Sequence, residues 1–182
     1  MGNLDFPMGL SPLNRDARVR EYDITASFAT EININDPVVR VAAGTVELIT
    51  AGDTNPILGS AQGFKDADGQ PQNKYPTGQT SAWKILVTDD PDQEYLAQED
   101  NATSDLALAD RGLNVAMVNT AAGVNGISGW ELNSNTGATT ATEQIRLIDL
   151  YRDAQNELGD YCKWVVKINN HQALQGVVGV GI

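Results

Sequence analysis

The sequence predicts a mostly β protein, a β-sandwich or β-barrel domain preceded by an extended N-terminal arm. Three observations predict it. Short runs with period-two alternation of apolar and polar residues recur along the chain. Clusters of Gly, Pro, Asn and Asp separate these runs, as in sandwiches and barrels and unlike alternating β-α units. The first fourteen residues mix Gly2, Pro7, Gly9 and Pro12, a density that opposes both helix and central strand.

The elements follow in chain order. Residues 1–20 read as the arm and residues 21–182 as a single β-rich domain. Within the arm, Leu4, Phe6, Met8, Leu10 and Leu13 are spaced apolar residues, and Arg15, Arg18 and Arg20 follow them. A frayed terminus is the plain alternative. The apolar spacing favours an arm that docks on a partner through these eight residues. From Tyr22, YDITASFATEINI is rich in Thr, Ile and aromatics. Residues 38–50 hold two strands around Gly44, with Val46 and Leu48 on one face. Residues 57–64 form a further strand, and 65–80 a polar loop. Residues 83–88 (WKILVT) put Ile85 and Val87 on one side, and 94–98 (EYLAQ) pair Tyr95 with Ala97. Residues 113–118 and 127–132 alternate, with Gly129 marking a bulge or a close backbone approach. A Gly-, Asn- and Thr-rich spacer lies between them.

Residues 140–158 admit two readings. Thr140 and Glu143 fit a capping box, and Leu147, Leu150, Ala154 and Leu158 fall near helical spacing. The alternative is a strand over 144–151, with Leu147 and Tyr151 on one face, then a turn over 153–160. The all-β context favours the strand. Residues 161–169 (YCKWVVKIN) form the last clear strand, and the apolar, glycine-bearing run GVVGVGI ends the chain.

Composition narrows the function. The 182 residues carry 12 Lys+Arg and 24 Asp+Glu, a net charge of -12, with 41% hydrophobic residues. Mean hydropathy is -0.28 and the pI about 4.3. Such a chain can bury a real core. No run approaches the roughly 18 apolar residues of a membrane span, and no basic-then-apolar start marks a secretory signal, so no membrane partner is expected. The acidic balance opposes nucleic-acid binding. One cysteine and one histidine exclude an internal disulfide framework and most multi-histidine metal centres.

No constellation for chemistry assembles. Residues 89–110 hold eight carboxylates (Asp89, Asp90, Asp92, Glu94, Glu99, Asp100, Asp105 and Asp110) and no Lys or Arg before Arg111. Such a stretch can bind calcium or supply an acid–base pair, but a solvated acidic face is the ordinary use. DADG (66–69) echoes a calcium loop, yet Tyr75 stands where the bidentate Glu is needed, so a surface turn is expected. His171 has no recognisable nucleophile context at Ser128, Ser134 or Cys162, and Cys162 reads as a structural thiol. Trp83, Trp130 and Trp164 would stack on sugars if exposed, but their strand-like runs favour packing. GVVGVGI has no helix after it to present to a phosphate. No enzyme, cofactor or metal is expected.

Five blocks carry a resemblance as an ordered set: ILGSAQGFKDADGQPQNKY (57–75), ILVTDDPDQEYLAQED (85–100), GISGWEL (126–132), QIRLIDLYRDAQNELGD (144–160) and VVKINNH (165–171). Their order and spacing resemble a group of tailed-bacteriophage virion proteins from aquatic phages, encoded with the head genes and read as capsid decoration, or cement, proteins. The similarity spans roughly residues 37–172. It implies a β-rich fold, a strand then a loop over 144–160, a role in clamping major capsid protein subunits, and no catalytic residues.

A cement protein binds a repeated lattice, so a homo-oligomer is expected: a trimer at local threefold positions, or a dimer at twofolds. Several modest contacts then act as one clamp. Packed DNA repels a chain of net charge -12, which places it on the capsid exterior after synthesis in the host cytoplasm. The apolar C-terminal run would be buried at a subunit contact. A tail or head-tail junction component, and a carbohydrate-binding module, are the alternatives.

Overall fold

A computed structural model describes residues 2–14, 16–52 and 54–174. Arg15 and the C-terminal GVVGVGI run lie outside the described residues. Fifteen strands are formed among the described residues: β1 (Ser11–Pro12), β2 (Val19–Asp23), β3 (Ile32–Asn33), β4 (Pro37–Arg40), β5 (Val46–Leu48), β6 (Gly59–Lys65), β7 (Pro71–Gln72) and β8 (Lys74–Tyr75) come first. They are followed by β9 (Lys84–Thr88), β10 (Glu94–Gln98), β11 (Asn114–Val115), β12 (Met117–Asn119), β13 (Trp130–Leu132), β14 (Ile145–Leu150) and β15 (Lys163–Ile168). Three single 3-10 turns are the only helical pieces among the described residues.

Two open antiparallel sheets organise the chain. The first has the order β1-β10-β15-β14-β11, and the second β2-β9-β6-β4-β5 with β7 also on β6. Two small hairpin-like pairs, β12-β13 and β3-β8, pack with them. The mostly β fold predicted from the sequence is therefore present, and the open sheets are consistent with the sandwich rather than the barrel alternative.

Alternation decides which face each strand buries. In β15, Trp164, Val166 and Ile168 are buried, while Lys163, Val165 and Lys167 face outward. Tyr95 and Ala97 of β10 and Ile145 and Leu147 of β14 join them. Met117, Trp130 and Leu132 from the β12-β13 pair cover this face, together with Leu10. A second core unites Val38, Val46, Ala61, Phe64, Ile85 and Val87, covered by Ile24, Ile32, Tyr75 and Trp83. Trp83 and Tyr75 meet edge to face at 5.5 Å. Leu48 packs against both cores. Each large apolar side chain buried this way contributes roughly 1.5–3 kcal/mol.

Residues 145–150, within the 144–151 run, are strand and not helix. The register of β14 on β15 shifts between Leu147 and Asp149. This bulge adds one residue and inverts the alternation beyond it. Leu150, opposite Trp164, therefore shares the core face with Leu147, in place of the expected Tyr151. The following turn is locked by Asn156, whose Nδ2 donates to the Tyr151 and Lys163 carbonyls while its Oδ1 accepts from the Lys163 amide. The 113–118 run also divides: β11 pairs with β14 and β12 with β13.

The first 20 residues contain two kinds of segment. Residues 2–8 run along the surface. Residues 9–13 enter the fold: the Gly9 amide donates to Trp130, Leu10 to Asn35 and Leu13 to Glu94, and β1 pairs with β10 as an edge strand where Pro12 is tolerated. Leu10 is fully buried.

Candidate functional site

The described surface carries a cleft of about 540 Å³ between the N-terminal segment and the loop joining β12 to β13. Gln98, the fully buried last residue of β10, anchors the N-terminal segment that forms one wall. Its Oε1 accepts from the Phe6 amide, and its Nε2 donates to the Leu4 and Tyr161 carbonyls. Asn3 adds a second clasp, donating to the Glu157 and Asp160 carbonyls and accepting from the Glu157 amide. The backbone is thus held while its apolar side chains stay outside: Leu4 is 76% and Phe6 55% exposed. Tethering a terminus this tightly while leaving two large apolar groups in water runs against ordinary surface composition.

The opposite wall is a tight turn. Val124 and Ile127 exchange two backbone hydrogen bonds around Asn125 and Gly126, whose φ values are +53° and +79°. Two successive positive φ angles are the geometry that Asn-Gly supplies best. Val124 at its edge is 66% exposed. At the base, Gly129 lies so close to the Ala121 carbonyl that a Cβ would sit 1.8 Å from the oxygen, the close approach expected at this glycine.

Glu131 of β13 also lines the cleft and is 2% exposed. Thr120 donates its hydroxyl to Glu131 Oε2, while Oε1 has no hydrogen-bond partner among the described residues. Burial pushes this carboxyl up to about 7, and nearby Asp5 and Asp100 add to the rise. Among the described residues, no Lys or Arg lines the cleft.

The predicted docking residues divide. Phe6 lines the cleft, Leu4 is exposed two residues before it, Met8 and Leu13 are half-buried, and Leu10 belongs to this chain's own core. Arg18 and Arg20 converge on the buried Asp89 at 3.3 and 3.1 Å, where the Tyr22 hydroxyl also donates at 2.6 Å. Their charges are engaged within the chain. The loop turn and Glu131 were not singled out from sequence. The Asn125-Gly126 dipeptide was a usable signal for the first, whereas nothing local marks the burial of the second.

The remaining candidates have structural partners. In the acidic stretch, Asp89 holds the arginines, Asp100 accepts from the Ser134 amide and hydroxyl, Glu99 accepts from the Leu106 amide, and Asp110 accepts from the Ala107 amide. Among the described residues, no group of three or more His, Cys, Asp or Glu is placed to hold a metal ion. Asp66 closes the DADG turn, accepting from Asp68, Gln70 and Gln72. His171 is buried, accepts from the Ala173 amide at Nδ1, and is held below its usual pKa by desolvation. Burial raises the Cys162 thiol to about 12. Trp83, Trp130 and Trp164 are all buried, so none offers a face to a sugar. Compared with protein-family models, curated proteins and solved structures, the chain matches none.

Proposed function

We propose that this chain is a virion structural protein, a capsid decoration protein that binds the outer surface of a tailed-phage head and stabilises contacts between major capsid protein subunits. The observation that carries the reading is the clasped N-terminal segment, which fixes its backbone through Gln98 and Asn3 and leaves Leu4 and Phe6 exposed, Phe6 across the cleft from Val124. A pre-ordered apolar edge of this kind loses little entropy on docking. The ordered sequence blocks supply the identity of the partner, and the net charge of -12 favours the side of the shell away from DNA. The acting form is a homo-oligomer, a trimer at local threefolds or a dimer at twofolds, so that weak contacts add. The reading involves no cofactor, nucleic acid or membrane, and synthesis is in the host cytoplasm.

Reconstruction of virions with and without the protein tests it. Density on the head exterior that vanishes with the protein is the expected result. Its absence there overturns the assignment, and about a dozen copies or fewer at the head-tail junction would identify a ring component instead.

A further inference from the structure

We infer that the cleft receives an arginine or lysine side chain from a partner protein segment, with Glu131 as its counter-charge and Phe6 and Val124 as apolar walls for its stem. The inference rests on the docking reading in taking the occupant to be a protein segment. Three observations specify the chemistry. First, Glu131 is almost completely buried yet leaves Oε1 unpartnered among the described residues. Buried polar atoms are nearly always paired, so an unpartnered acceptor on a residue that lines a cleft marks a place where a donor can be received. Second, the surrounding charge has one sign: Asp5 and Asp100 act on Glu131, and no basic residue lines the cleft among the described residues. An anion would be repelled, whereas a guanidinium or ammonium would be drawn in and would supply the missing hydrogen bond. Third, the walls are apolar and outward-facing, with Phe6 and Val124 both more than half exposed. Such walls suit the methylene stem of Arg or Lys, and Phe6 adds an aromatic ring for the cation.

A hard metal ion fits less well, because it demands six or more oxygen ligands and the walls here are largely hydrocarbon. A free apolar molecule would leave the carboxyl unpaired. A basic side chain with apolar neighbours satisfies floor and walls together.

The test titrates the full chain with two peptides, Ac-Leu-Arg-Leu-NH2 and the same peptide with neutral citrulline in place of arginine, read by amide NMR shifts. The arginine peptide is expected to shift Phe6, Thr120, Val124 and Gly129, and citrulline to bind at least tenfold more weakly. Glu131→Gln is expected to abolish that discrimination without lowering the melting temperature. Phe6→Ala, an exposed change, should weaken both peptides several-fold. Equal binding of the two peptides, or shifts confined to another surface, overturns the inference. Occupancy on heads separates it from the decoration reading. If wild type is absent from heads while the arginine peptide still selects the cleft, only the decoration reading fails. If wild type and Glu131→Gln decorate equally and the peptides are not discriminated, only the cleft inference fails.

Discussion

Replacing Gly129 by alanine tests the geometry that shapes the cleft. The new Cβ would lie 1.8 Å from the Ala121 carbonyl oxygen, 2.7 Å from its carbon and 3.2 Å from the Ala122 carbon. All three are backbone atoms, so no side chain can swing aside. Reaching even 3.0 Å requires a backbone displacement of at least 1.2 Å. The Thr120 and Ala121 amides both donate to the Gly129 carbonyl, at 3.3 and 3.4 Å, and Asn119 pairs with Trp130 just beyond. Separation at Gly129 therefore pulls on the β12-β13 register and on Thr120, which holds Glu131. Overpacking costs about 1–3 kcal/mol, and a backbone clash belongs at the upper end. A loss of about 3 kcal/mol lowers the melting temperature of a chain this size by roughly 6–12 °C. Urea unfolding followed by tryptophan emission reads the change. Gly137→Ala is the control, since its Cβ would meet only Leu113 Cδ1 at 3.7 Å. It should change stability by less than about 1 kcal/mol. A Gly129→Ala protein as stable as the Gly137→Ala control would refute the close approach.

Stability should fall as pH rises from about 4.5 to 7. Burial raises Asp36 to about 6 and Glu99 and Glu131 to about 7, so the folded chain keeps protons that the unfolded chain has released. Their contribution is complete below the unfolded pKa values and lost once pH exceeds the folded ones. Glu99→Gln should flatten the profile by on the order of 2 kcal/mol, measured by denaturant unfolding at pH 5, 6, 7 and 8; an unchanged slope counts against the buried carboxyl. Removing residues 1–7 should leave the melting temperature within a few degrees, whereas removing 1–13 also deletes Leu10 and β1 and should cost about 3 kcal/mol or more. Equal melting of the two truncations would contradict the placement of Leu10. Cys162 should resist thiol reagents at pH 8 until denaturant is added, because it is buried with its thiol raised to about 12. Rapid labelling of the native protein would show that site to be open.

Sequence alone determined the elements whose signal is local. Alternation located β9 and β10 with their buried faces, and β15 as a strand, because a two-residue period survives in any half-buried strand. Gly129 signalled a bulge or a close approach, and the structure shows the close approach, which only the absent side chain makes possible. The order of strands across the two sheets, the bulge in β14 and the burial of Leu10 depend on partners far along the chain, which no local pattern encodes. The same holds for the cleft. Glu131 looks like any strand carboxylate until Thr120, Asp5 and Asp100 surround it, and Arg18 and Arg20 look free until Asp89 meets them. Burial and pairing are properties of the assembled surface, and the tertiary structure decides them.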